Sequence, residues 1–507
     1  MEDEQEISAS YTESTPWIVA KFGGTSVACA SSWESIARIV TSHRRAGYRV
    51  VLVCSAVAQV TDLLEGLADE VERRGDLEAQ LHGIYAIHDA LAADLGLDGQ
   101  EVLGPLYRQL EGMVRDDAAD GQRPAPARRA AIIAMGELMS TSLGARWLTG
   151  RGLSARWVDV RTLLRASGTE FDAQHYGSAS CACEPDPALT AALAQSGEEI
   201  VITQGFLASD VRGDTVLLGR GGSDTSAAYL AAKLAAAKLE IWTDVPGVFS
   251  SDPRHCPKAR LIKRMTFAEA QALSSLGAQV LHPRCLEPAR AHGIPVRIGW
   301  TRYPEASGTE IGDRALGEVG VKTVVSRSNL LLVIIARQPR WQPVGFMAEV
   351  ATCFQRHGLS IDLIGSSPGE IRATIDLGAF PRSGRRVTAL EADLGDIGQV
   401  RIERDVACVS VAGSSTRSAV HALGDTLRSL AGPDVYLVCH AADDSHVSFV
   451  VARRLADTLV EQLHAALFEH VARSPVFGPS FGDLARSAQM ARGRDARSDP
   501  RSGSLAS

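Results

Sequence analysis

The sequence predicts an α/β protein with a mainly parallel central sheet, followed by two small α+β modules. Three observations carry that prediction. Short, almost uninterrupted apolar runs recur between Trp17 and Gly312, which is how strands covered on both faces are written. Longer Ala-, Leu- and Met-rich stretches with helical character separate those runs, as βαβ connections require. Beyond Val321 a strand–helix–strand order occurs twice in succession, a weak internal repeat.

Taken in order, residues 1–16 form a polar, acidic lead-in that is unlike a secretory or transit signal. Strands are expected at Trp17–Lys21, Val50–Cys54, Ala155–Val158, Ile200–Thr203, Leu239–Thr243 and Pro295–Gly299. Helices are expected most clearly at Ala127–Leu148, Thr225–Leu239 and Thr266–Ala278, the last stopped by Pro283. The α/β block therefore covers 17–312. The two modules are expected at 321–400 and 401–472, with Val406–Gly413 opening the second copy. Residues 474–507, rich in Ser, Gly, Arg and Ala, read as a disordered tail.

Composition narrows the function class. There are 52 Lys+Arg against 60 Asp+Glu, a net charge of −8, and 5% aromatic residues, which disfavours nucleic acid as a partner. Nine scattered cysteines suit reduced thiols and a cytoplasmic setting better than a disulfide framework. No apolar run is long enough for a membrane span.

The chemistry concentrates in a few segments. Lys21-Phe22-Gly23-Gly24-Thr25-Ser26 follows the first strand, where glycines let backbone N–H groups approach an anion and Lys21 adds a full charge. Alone, a Gly-Gly turn is ordinary, and no GxxxxGK[ST] accompanies it, so the P-loop solution is excluded. Leu218-Gly219-Arg220-Gly221-Gly222-Ser223-Asp224 opens a helix in the same style, with Arg220 suited to a carboxylate or phosphate. Asp224 and Thr225 serve equally well as helix caps on this reading. Trp242-Thr243-Asp244-Val245-Pro246-Gly247-Val248-Phe249 lies beyond a strand end, where open α/β sheets bind ligands. Glu137, on an otherwise apolar helix, needs a partner, either a ligand ammonium or an internal arginine. His282 reads as structural.

KFGGTS, SAVAQVTDLL, GELMS, VITQGF, GRGGSD, WTDVPGVF, SDPR and GAQVLHP, in that order, resemble an aspartokinase of the amino-acid kinase superfamily, over roughly 17–470. The resemblance is strongest to the lysine-sensitive, single-function type, and the paired C-terminal modules look like ACT domains. It implies an amino-acid-kinase sandwich, and transfer of phosphate from ATP, with Mg2+, to L-aspartate, giving 4-phospho-L-aspartate for the lysine, threonine and methionine branch. It implies Lys21 and Asp224 as catalytic, with Ser55, Thr61, Glu137, Arg220 and Ser223 on the substrate. Lys21, Gly23, Gly24, Thr243, Asp244, Phe249, Arg254, Gln279 and Val280 would hold ATP. Phe346, Met347, Ser360, Ile361, Asp362, Ser366 and Ser367 match positions around a regulatory amino acid, lysine by resemblance, although Pro368-Gly369 departs from the family text. A homodimer or higher homo-oligomer through the ACT-like modules is implied as well.

Three positions depart from the family pattern. Gln279 stands for a common Lys, Phe249 for a common Tyr, and Gln59 for a frequent Gly. They leave two alternatives in view: a kinase for another amino-acid carboxylate, and a catalytically weakened amino-acid sensor of the same fold.

Overall fold

The computed structural model describes residues 15–115, 124–168, 171–195, 197–277, 281–314, 320–337, 344–377, 384–418, 424, 434–468, 474–487 and 490. Strands of the first half are β1 (Trp17–Phe22), β2 (Arg49–Cys54), β3 (Ala155–Trp157), β4 (Ile200–Gln204), β5 (Leu207–Ser209), β6 (Thr215–Leu217), β7 (Lys238–Thr243), β8 (Arg260–Ile262), β9 (Arg264–Thr266), β10 (Val296–Trp300) and β11 (Thr309–Gly312). Its helices are α1 (Ala30–Arg45), α2 (Val60–Arg73), α3 (Glu78–Asp94), α4 (Gly99–Arg115), α5 (Ala125–Gly150), α6 (Ala173–Gly177), α7 (Pro187–Gln195), α8 (Gly222–Lys233), α9 (Phe267–Ser275) and α10 (Pro283–Ala291). The second half adds β12 (Val321–Arg337), α11 (Phe346–Arg356), β13 (Ile364–Ser367), β14 (Glu370–Asp376), α12 (Gly384–Gly395), β15 (Gly398–Gly413), β16 (Val435–His440), β17 (His446–Ala452), α13 (Arg453–Phe468) and β18 (Phe477–Ser480).

An eight-stranded sheet ordered β3-β4-β2-β1-β7-β10-β11-β9 forms the centre of the first half. Its pairings are parallel except β10 with β11. Every residue of β2 and β4 is buried, so both faces are covered, as the uninterrupted apolar runs required. The parallel register of β1, β2, β4 and β7 sends their carboxyl ends to one edge, bringing Lys21, Ser55, Gln204 and Thr243 to the same rim. Among the described residues no helix is long and apolar enough to cross a membrane.

Two helix expectations shift. The pattern expected as helix through Leu239 ends at Lys233, because Lys238–Trp242 is drawn between β1 and β10 as β7, and sheet pairing overrides the propensity of the Ala-rich run. Helix α9 ends at Ser275, well before Pro283, which is instead the first residue of α10.

The division of the second half at 400/401 is also corrected. Strands β12 and β15 are long and pair antiparallel, with register shifts between Arg327 and Leu332. Val321–Arg327 pairs with the end of β15, and Leu330–Arg337 with its beginning. One module, with its own core of Leu331, Val333, Ile335, Phe354 and Leu390, is thus inserted into the other. In the outer module Val324, Val409, Val411, Leu459 and Leu463 belong to the same apolar cluster as the kinase-like half, whereas Val406, Cys408 and Val450 pack with Leu330 and Leu332 between the two modules.

Residues 474–487 are not a disordered tail. Strand β18 pairs with β8, residues 481–487 are helical, and Phe477 and Leu484 are buried. Compositional reading failed there because three apolar anchors suffice when a preformed surface receives them. Of 488–507, only Met490 is described.

Candidate active site

A cleft of about 1080 Å³ opens at the rim of the parallel strands. Lys21, Gly24, Ser55, Thr61, Glu137, Arg220, Ser223 and Asp224 all line it, so segments far apart in sequence converge there. Lys21 Nζ lies 2.5 Å from Asp224 Oδ1, with both side chains mostly shielded from water. Asp224 sits in the first turn of α8 but does not cap it; the cap is Gly221, at φ 68, with no side-chain hydrogen bond. That left-handed backbone favours glycine, and a Cβ there would collide with the His282 side chain at 2.3 Å. His282 in turn caps α10, accepting from the Arg284 backbone, and burial lowers its pKa, consistent with a structural role. Gly24 is required by close approach, since a Cβ would lie 2.8 Å from the Ala56 carbonyl oxygen.

Glu137 is 2% exposed on α5, and its Oε2 has no hydrogen-bond partner. Burial pushes its carboxyl up to about 8, against the opposing pull of the Ala56 backbone N–H. No internal arginine satisfies it. Nearby, Ser140 Oγ donates to the Ser55 carbonyl at 2.7 Å, tying α5 to the end of β2. An unpaired acidic group facing a cleft asks for a cationic ligand group.

The residues expected at the nucleotide are gathered less tightly. Gly23 N–H donates to the Trp242 carbonyl at 3.4 Å. Thr243 and Asp244 leave β7 together, with Thr243 Oγ1 donating to Asp244 Oδ1 at 3.1 Å. Arg254 is exposed and pairs with Asp252 at 2.7 Å. Phe249, by contrast, is turned into a small apolar cluster with Cys256, Leu261, Trp300 and Leu484. It is therefore not a cleft-facing replacement for a tyrosine. Gln279 and Val280 lie outside the described residues.

The expected effector positions follow the start of α11 (Phe346, Met347), the approach to β13 (Ser360, Ile361, Asp362), and β13 itself (Ser366, Ser367). Phe346 is buried in the inserted module's core, whereas Met347 is 41% exposed. Asp362 is already engaged by Arg327.

Several residues of the site carried no recognisable signal in the sequence. Phe206 and Tyr176 line the cleft, and Phe206 holds φ 68, a strained value for a bulky side chain. Arg129 reaches the cleft wall while paired with Asp69 at 2.6 Å. Arg284 braces the Gly219–Gly221 loop by donating to the Leu218 and Ala179 carbonyls, each at 2.8 Å. Of these only Phe206 falls in a segment quoted above, VITQGF.

Comparison with known proteins identifies the family. Residues 16–299 match the amino acid kinase family. The lysine-sensitive aspartokinase 3 of Escherichia coli K12 is 34% identical over 460 residues, covering 89% of this chain and 99% of that protein. A crystal structure of E. coli aspartokinase III with aspartate and ADP, in the R-state, superposes with a TM-score of 0.72 at 33% identity, covering 89% of this chain and 99% of that one. The T-state structure with lysine and aspartate gives 0.71 at 32% identity, covering 90% and 100%. The chain belongs to the amino acid kinase family and, within it, to the aspartokinases.

Proposed function

We propose that the cleft transfers the γ-phosphoryl group of ATP to the side-chain carboxylate of L-aspartate, under feedback control by an end-product amino acid. The observation that carries this reading is Glu137, a buried carboxyl with an unpaired oxygen, in one cleft with the Lys21–Asp224 pair and Arg220. Glu137 takes the substrate ammonium and Arg220 its α-carboxylate, leaving the side-chain carboxylate directed at Lys21. Ser55, Thr61 and Ser223 supply hydrogen bonds around it.

The attacking carboxylate has a reference pKa of about 3.9, so it is ionised at neutral pH and needs no general base. Its oxygen forms a bond to the γ-phosphorus as the bond to the β,γ-bridging oxygen breaks, and ADP departs. The difficulty is repulsion between two anions, so positioning and charge neutralisation do the catalysis. Lys21 neutralises the transferring group, Asp224 fixes the ammonium of Lys21, and Gly23 and Gly24 let backbone approach the phosphates. Thr243, Asp244 and Arg254 hold the nucleotide.

Among the described residues no cluster of three or more His, Cys, Asp or Glu is built to hold a metal by itself. That fits a Mg2+ ion delivered with the triphosphate and steadied by one carboxylate, Asp224, since Mg2+ keeps most of its ligands from phosphate and water. When bound it supplies further neutralisation of phosphate charge.

Lysine is the effector the similarity to the E. coli enzyme supports, with Asp362 receiving its ammonium. A second copy of the chain is supported by exposed apolar side chains at the edges of the regulatory sheet, Ile364 on β13 and Val438 on β16. The composition supports a cytoplasmic setting. A hydroxamate assay for acyl phosphate, with ATP and aspartate in the presence and absence of lysine or threonine, tests the whole reading. Nucleotide binding without aspartyl phosphate would favour the sensor alternative.

A further inference from the structure

The segment 474–487 lies against the apolar side of the loop that carries Asp244 and Arg254. Its strand β18 completes a two-stranded sheet with β8, and Arg260 Nε donates to the Gly478 carbonyl at 3.0 Å. Ser480 then caps the 481–487 helix, its hydroxyl accepting from Asp483 N–H at 3.2 Å while donating to Asp483 Oδ2 at 2.7 Å. That turn aims Phe481 between Phe249 and Trp300, with ring centroids 6.0 and 5.9 Å away. Leu484 completes the cluster.

The loop from Asp244 to Arg254 has a polar side and an apolar side. Asp244 and Arg254 are exposed, whereas Val248 and Phe249 are each 7% exposed. The loop is tied to β8 by Ser250 N–H to the Arg260 carbonyl and Ile262 N–H to the Val248 carbonyl. The kinase half supplies Leu261, Cys256, Ala259 and Trp300 for its apolar side, and Phe481 and Leu484 close what remains. The same loop touches the regulatory half, because Ser250 Oγ is 2.8 Å from His464 Nε2 on α13, and Phe468 of α13 packs edge-on against Phe477 of the strap, with ring centroids 5.4 Å apart.

We propose that residues 474–487 are a positioning strap for the nucleotide: Phe481 and Leu484 hold the 244–254 loop in its binding shape, while Phe477 anchors the strap to α13. This rests on the reading that the loop holds ATP. Phe481 is a positioning residue, since it acts through Phe249 and touches no substrate. Removing it leaves the loop to be ordered by the nucleotide itself, and that ordering is subtracted from nucleotide affinity. Aspartate binding is untouched, because Glu137 and Arg220 stand on other elements.

The test uses the full chain. Phe481→Ala raises KM for ATP by about threefold to tenfold, the range of a lost buried aromatic contact, while KM for aspartate and kcat at saturating ATP stay close to the parent. Phe481→Leu restores most of the ATP affinity, and Arg486→Ala, on the strap's exposed side, changes neither KM. Should Phe481→Ala not fold, Leu484→Val and Phe481→Leu carry the same comparison with smaller effects. An unchanged KM for ATP in folded Phe481→Ala, or an equal rise in both KM values, overturns the proposal. Asp244→Ala and Arg254→Ala separate the two layers. If they raise KM for ATP and the strap variants do not, the strap proposal alone fails. If neither set does, the nucleotide reading of the loop fails with it.

Discussion

Arg327 and Asp362 form an ion pair where β12 shifts its register on β15, and Asp376 takes the other end of the same guanidinium at 3.4 Å. The stem of Arg327 packs on Gly277, where a Cβ would sit 3.1 Å from Arg327 Cδ. An effector ammonium directed to Asp362 therefore has to displace a resident arginine that packs on Gly277, just beyond the end of α9. Arg327→Ala is expected to tighten lysine binding by roughly threefold to tenfold, as befits a partly exposed pair, and to blunt inhibition of the kinase. Calorimetry of lysine binding beside an inhibition curve checks both halves. Weaker binding in the variant would mean that Arg327 helps to build the site instead of competing for it.

Glu137 predicts a proton linkage. The empty site holds this carboxyl protonated up to about pH 8, whereas an ammonium beside it favours the anion. Aspartate binding at pH 7 should release a proton, and affinity should rise with pH until about pH 8, where the free carboxyl has ionised. Calorimetry in two buffers of different ionisation enthalpy measures the proton count. A count of zero would remove Glu137 from the ammonium site.

The same burial makes Glu137 a stability cost. Its folded pKa is raised above the ordinary value of 4.5, so the stability it contributes is full below that pH and is lost as pH rises towards about 8. Glu137→Gln should therefore unfold at a higher temperature than the parent above pH 8 while losing aspartate binding. Thermal unfolding across pH, paired with kinetics, reads both.

On the proposed mechanism Lys21 and Asp224 act as a unit. Lys21→Met should lower kcat by about 10²–10³-fold, the cost of one lost charge on a transferring group. Asp224→Asn should do much of the same damage by releasing the ammonium, and the double variant should fall far short of the product of the singles. Multiplicative losses would show that the 2.5 Å pair is incidental to catalysis.

Gln59 adopts φ 74 at the start of α2, on the cleft wall. The departure from glycine at this position loads the backbone instead of tightening the turn. Left-handed geometry costs a non-glycine residue about 1–2 kcal/mol, partly offset by the extra freedom glycine gives the unfolded chain. Gln59→Gly should raise stability by about 0.5–1 kcal/mol and Gln59→Val should lower it, as denaturant midpoints would register.

The join between the halves offers a sharper stability test. Lys322 at the start of β12 meets Glu269 of α9 at 2.6 Å, both buried. Lys322→Ala leaves that carboxylate without its charge partner and should cost about 3–5 kcal/mol, whereas Lys322→Met with Glu269→Leu should cost about 1 kcal/mol, the loss of the bond Glu269 accepts from Thr266 N–H at the start of α9. Unfolding curves of the three variants distinguish a required ion pair from a replaceable one.

What the sequence by itself determined is the part that depends on neighbours in the chain. The β1–KFGGTS turn, the glycine-rich start of α8, the buried parallel strands and the Glu137 helix all follow from local periodicity and from residues only glycine can replace. Eight cleft residues, of which Ser55, Thr61 and Ser223 are named only through the family resemblance, do meet, because a parallel sheet sends all its strand ends to one rim. Only tertiary structure decided the rest. The register of β12 on β15 interleaves the two modules, and no local pattern encodes which half of a long strand pairs with which. Phe249 faces Phe481, 232 residues further along, so its burial is invisible without the strap. Asp362 looked like an open receptor for an ammonium until the fold put Arg327 beside it. In each case the deciding energy is a contact between distant segments, and a single sequence records the residues of such a contact but not their meeting.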